Sequence, residues 1–109
     1  MKTISQLAEL VTGAVVIGDK ETKITGIEHD SRKVEDGTLF VCIPGVHVDG
    51  HVFIPQAVKA GAKAVLTTRQ DLEVPAGVAV LCVPELQPAL DLFGVPARTS
   101  GASVWLPNG

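Results

Sequence analysis

Aromatic residues are scarce in this chain, 4% of 109 residues, although 46% are hydrophobic. The core must therefore come from Val, Ile, Leu and Ala, as in sheets covered by helices, which favours an α/β class over a disulfide-rich or disordered one. Basic residues are not in excess: 9 Lys and Arg stand against 12 Asp and Glu, for a formal net charge of −3, and they form no run. With no electrostatic footprint for nucleic acid, an anion must be held locally by a few donors. The only cysteines, Cys42 and Cys82, each sit in an apolar run. They read as buried free thiols, which fits a reducing cytosol. No apolar stretch reaches the roughly 18 residues of a membrane span, and no signal-like pattern opens the chain, so the expectation is a soluble, cytoplasmic protein. At this length it is one small domain, too short for a substrate domain, a nucleotide domain and a lid together.

Thr3-Ile4-Ser5-Gln6 has the form of a capping box, followed by Leu7, Leu10 and Val11 at helical spacing, and predicts a short helix ending at Gly13. Ala14–Ile17 and Ile24–Glu28 flank a charged turn and read as two strands in a hairpin-like arrangement. Asp36-Gly37 is a turn signal before the apolar run Leu39–Ile43, the candidate central strand, which Pro44-Gly45 stops. A loop from Val46 to Gly50 leads to a helix from about Phe53 to Ala60, with Ile54, Ala57 and Val58 on its inner side and Gly61 as its cap. Strands at Ala64–Thr67 and Val78–Val83 follow, then a helix over Glu85–Phe93 with Leu86, Leu90 and Phe93 inward. A helix between two of the strands predicts a small mixed or partly parallel sheet flanked by helices. Residues 94–109, rich in Gly and Pro, read as a tail or linker that docks at most weakly through Trp105.

The stretch His29–Pro55 concentrates the polar chemistry and holds all 3 histidines. Within and after it stand Asp30-Ser31-Arg32-Lys33-Val34, Gly37-Thr38-Leu39-Phe40-Val41, Pro44-Gly45, Asp49-Gly50-His51-Val52-Phe53-Ile54, Gln56-Ala57 and Gly61-Ala62. This linked series resembles the N-terminal domain of the Mur ligases, the amino-acid-adding enzymes of peptidoglycan biosynthesis. Ile54-Pro55-Gln56-Ala57 makes the likeness closest to the MurE type, which adds the third peptide residue; the MurF type, which adds D-alanyl-D-alanine, shares much of the signature. The likeness covers residues 3 to 93 and implies a unit spanning 1–93 that binds the UDP end of a UDP-N-acetylmuramoyl peptide. The family's contacts, carried onto this chain, fall on His29, Ser31, Val46, His47 and Val48, with Arg32 as a further candidate.

The residues support that assignment independently. A loop leaving a strand at Pro44-Gly45 offers open backbone groups to a uracil edge. Ser31 offers a hydroxyl to a diphosphate oxygen, and Arg32 or a neighbouring lysine offers positive charge. Each also has a plainer role. Asp30 suits a turn cap, Arg32 an ion pair, His51 a hydrogen bond at the start of a helix, and Asp49-Gly50 a turn. A metal or Ser-His-Asp site built from His29, Asp30, Ser31, His47, Asp49 and His51 is disfavoured: the histidines lack HExxH spacing and Ser31 lacks a GxSxG elbow. A non-catalytic interaction module derived from this domain is the other alternative.

The resemblance implies ATP and Mg²⁺ for a full-length enzyme. No GTNGKT-type phosphate loop stands in these 109 residues, and residues 97–109 do not resemble the family's linker into that loop. The expectation is a chain without catalytic residues, metal or cofactor of its own, whose partners are the nucleotide-sugar peptide and the central and C-terminal ligase domains.

Overall fold

The structure is a computed structural model that describes residues 2–43, 50–70 and 72–94. It opens with β1 (Lys2–Thr3) and α1 (Ile4–Glu9), then β2 (Val15–Ile17), β3 (Lys23–Ile24) and β4 (Gly26–Glu28). A 3₁₀ turn at Ser31–Lys33 leads to β5 (Thr38–Val41), and another at Gly50–Phe53 leads into α2 (Ile54–Ala60). β6 (Ala64–Thr67), β7 (Ala79–Cys82) and α3 (Leu86–Leu92) complete it. A five-stranded sheet has the order β2-β7-β6-β5-β4. β4, β5, β6 and β7 run parallel and β2 is antiparallel to β7, the mixed sheet that the sequence predicts.

Side-chain alternation divides the core in two, as the two-residue period of a strand requires. Leu39, Val41, Ala64, Leu66, Ala79 and Leu81 face α1 and α3, where they meet Ile4, Leu7, Ala89 and Phe93. Phe40, Cys42, Val65 and Val80 face α2 and meet Ile54 and Ala57. β5, β6 and β7 are buried at every position, as expected of parallel strands covered on both faces. Both cysteines are free and buried, and burial pushes the Cys82 thiol up. Leu72, Val74 and Val78 cover the α2 face between β6 and β7, where a crossover helix is more usual.

Several boundaries differ from the sequence expectation. The capping box forms, Gln6 N donating to Thr3 Oγ1 at 3.2 Å and Thr3 N to Gln6 Oε1 at 2.8 Å, but α1 ends at Glu9 rather than near Gly13. The hairpin does not form: β2 pairs with β7, β3 with β1, and β4 with β5. Ile4 N donates to Thr22 O (3.0 Å) and Ser5 N to Lys20 O (2.8 Å). The free N–H groups at the start of α1 thus take up the carbonyls of the turn between the two predicted strands. β5 is an interior strand, but the middle of the sheet is β6. Gly61 caps α2 as predicted. Among the described residues no helix is long and apolar enough to cross a membrane. Of the predicted tail, all but Gly94 lies outside the described residues, Trp105 included.

Candidate functional site

Because β4, β5 and β6 are parallel, their carboxyl ends lie along one edge of the sheet, where open α/β sheets place ligands. At this edge a pocket of about 440 Å³ separates the segment after β4 from the start of α2. His29, Asp30, Ser31 and Arg32 line one wall, Phe53 and Gln56 the other. The volume falls within the roughly 300–1,000 Å³ of small-molecule sites.

Two carboxylates shape the first wall. Glu28, the last residue of β4 and only 2% exposed, turns its side chain back on the chain. Its Oε1 accepts from His29 N at 3.1 Å and Asp30 N at 3.0 Å. Asp30 repeats the device one turn on: Oδ1 accepts from Arg32 N and Nε, and Oδ2 from Arg32 Nη2, all at 3.0 Å. Asp30 therefore caps the 3₁₀ turn, and Arg32 is its ion-pair partner, although the arginine side chain remains 82% exposed. Between these braces Ser31 is 8% exposed, and among the described residues its hydroxyl has no hydrogen-bond partner.

The hydrogen bonds from Arg32 hold the Asp30 carboxyl down to about 2, from an ordinary value of 3.8. A depressed carboxylate contributes stability that is present above its unfolded-state value and lost as pH falls through the folded one. The 29–33 segment is thus expected to loosen locally between pH 3.8 and about 2, without driving global unfolding, since the arginine of the pair is solvent-exposed. The Arg32 Nε–H resonance checks this: it should move with an apparent midpoint near 2, and a midpoint near 3.8 would mean that the pair does not form in solution.

His51 does not line this pocket. Its Nε2 shares a hydrogen bond of 2.7 Å with Thr67 Oγ1, which also accepts from Arg69 N at 3.0 Å. It ties the entry to α2 to the end of β6, the plainer of its two sequence readings. Val46, His47 and Val48, with Pro44, Gly45 and Asp49, lie outside the described residues. Among the described residues no three of His, Cys, Asp and Glu stand together as a metal site.

Phe53 and Gln56, which line the candidate site, and Glu28, which braces its loop, are residues that sequence reasoning missed. Glu28 ends an apolar strand and gives no sign of folding back. Phe53 and Gln56 are three apart and about a quarter-turn around α2 from Ile54 and Ala57, and a phenylalanine placed outside the apolar stripe is the signal that was there to be found.

A predominantly parallel sheet with an acid-braced serine loop at its carboxyl edge defines an α/β domain with a candidate ligand pocket. The family model described as Mur ligase family, catalytic domain, matches residues 23–96. The chain belongs to the Mur ligase family and corresponds to the N-terminal domain of a peptidoglycan ligase. It is 41% identical over 103 residues to a UDP-N-acetylmuramoyl-L-alanyl-D-glutamate–2,6-diaminopimelate ligase of Bacillus licheniformis, covering 90% of this chain and 20% of that protein. It is 40% identical over 110 residues to a UDP-N-acetylmuramoyl-tripeptide–D-alanyl-D-alanine ligase of Mycobacterium bovis, covering 94% of this chain and 21% of that one. That second match takes in part of the segment after residue 94. Among solved structures, MurF from Acinetobacter baumannii superposes with a TM-score of 0.64 at 30% identity, over 84% of this chain and 20% of that one. The chain spans about a fifth of the length of each of these relatives.

Proposed function

We propose that this domain is the UDP-N-acetylmuramoyl-dipeptide recognition unit of a MurE-type, ATP-dependent amide ligase of the cytoplasm, with residues 1–93 as the binding unit and 94–109 as a tail or linker. The observation that carries the reading is the Ser31 hydroxyl, on a nearly buried residue of the pocket lining and unpartnered among the described residues. A hydroxyl so held can donate to a diphosphate oxygen without first breaking a protein hydrogen bond. Arg32 lowers the cost of bringing that charge in, while His29 and the backbone of Val46, His47 and Val48 complete the grip.

The family model's description speaks of a catalytic domain. In the proposed reading this part supplies position rather than reacting groups. Activation of the peptide carboxylate as an acyl phosphate and attack by the incoming amine belong to the central and C-terminal domains, with ATP and Mg²⁺. Anchoring the remote UDP end fixes the carboxylate in place, so that binding energy becomes orientation.

Titration with UDP-N-acetylmuramoyl dipeptide, followed by NMR, tests this. Ser31→Ala should weaken binding about tenfold or more, the value of one charge-assisted hydrogen bond, and His47→Ala should weaken it less. Unchanged spectra of the wild type at millimolar ligand would sink the reading. A MurF-type parent is the second reading, favoured by the 94% coverage in the M. bovis relative, and a preference for the tripeptide nucleotide over the dipeptide would support it.

A further inference from the structure

The chain has 3 phenylalanines, and their placements differ. Phe40 and Phe93 are 1% and 2% exposed, one in each half of the core. Phe53 is 38% exposed and forms part of the pocket wall. The turns of chain that carry it are secured by other residues, Ile54 and Ala57 in the core and His51 on Thr67, so the ring is not needed to anchor α2. Gln56 stands beside it on the same side of the helix, and its amide makes no hydrogen bond among the described residues. The pocket lining thus brings a partly exposed aromatic ring and a carboxamide together with Ser31.

Resting on the reading of this pocket as a nucleotide site, we infer that Phe53 and Gln56 form its base-reading wall, with Phe53 stacking on the pyrimidine ring and Gln56 hydrogen-bonding to its edge. The side chains carry this, not the helix end. A phenyl face provides stacking for a flat heteroaromatic ring but does not select among bases. A carboxamide can donate to the O4 acceptor of uracil or accept from the amino group that cytosine has there. A carboxamide free to turn pairs with uracil through its NH₂ group, which an acceptor-only side chain could not do.

The test titrates the whole chain with UDP and with CDP, reading Kd and the ring-proton resonances of the base. In the wild type the uracil H5 and H6 signals should move upfield on binding, because protons over a phenyl face are shielded. Phe53→Leu keeps the apolar bulk and the fold; it should abolish that shift and weaken UDP about 5- to 100-fold. Gln56→Glu, an exposed isosteric change, should shift the ratio of UDP to CDP affinity toward CDP by about tenfold. A shift that persists in Phe53→Leu, or an unchanged UDP-to-CDP ratio in Gln56→Glu, overturns the inference. If the wild type binds UDP and Ser31→Ala weakens it while either of those results holds, the base wall alone is wrong. A wild type that binds no UDP overturns the site reading and this inference together.

Discussion

Gly61→Ala is expected to destabilise the domain by about 2–5 kcal/mol, combining backbone strain with a steric clash. Gly61 caps α2 at φ 120°, a conformation that residues with a Cβ rarely adopt. A Cβ there would stand 2.7 Å from Asp36 Cα and 2.9 Å from Asp36 N, backbone atoms that cannot rotate aside. The turn they belong to is fixed from both ends. Gly37 N donates to Gly61 O at 2.9 Å, and the fully buried Thr38 donates through Oγ1 to Glu35 O at 2.7 Å. Relieving the clash therefore displaces the start of β5, next to the middle strand of the sheet. Gly77→Ala is the control: φ is 87° there and an added Cβ meets nothing within 4 Å, so only strain of about 1–2 kcal/mol remains. Thermal unfolding of the two variants reads the difference, with a fall of roughly 10–20 °C for Gly61→Ala. Equal melting temperatures would show that the turn at Asp36 yields freely.

Glu28→Ala should damage both stability and recognition. Two backbone N–H groups, of His29 and Asp30, lose their shared acceptor, which costs about 1–3 kcal/mol in this partly buried setting. The loop that presents Ser31 then loses its first brace, and UDP affinity should fall about tenfold or more, as for removal of the serine hydroxyl itself. Glu28→Gln separates geometry from charge. The amide oxygen can still accept both bonds, and a nearly buried negative charge disappears, so stability should stay near wild type or rise. Chemical denaturation and the UDP titration read the two effects. Wild-type behaviour of Glu28→Ala would remove the bracing argument, and a Glu28→Gln variant as damaged as Glu28→Ala would mean that charge, not the acceptor, shapes the loop.

Local patterns carried much of the fold. The capping box at Thr3 and Gln6, the apolar runs of β5, β6 and β7, and the stripe of α2 with its glycine cap are set by neighbours within a few residues, and such signals can be read along the chain. The Asp30-Ser31-Arg32 motif was legible in the same way, because Asp30 bonds to a residue two positions on. Strand pairing was not legible. The residues of β2 and β4 are close in sequence, yet the strands lie at opposite edges of the sheet. No spacing rule could show that the N–H groups of α1 would occupy the carbonyls of Lys20 and Thr22.

By itself, then, the sequence determined the class of sheet, the buried thiols and the Ser31 loop with its family, because composition, short-range hydrogen bonding and side-chain period are properties of neighbouring residues. Only the tertiary structure decided that Glu28 folds back to brace that loop and that Phe53 and Gln56, more than twenty residues on, face Ser31 across a pocket. The physical reason is the parallel crossover. It returns the chain to the same edge of the sheet after β5 and so brings the start of α2 beside the end of β4, a juxtaposition that exists only once the strands have paired.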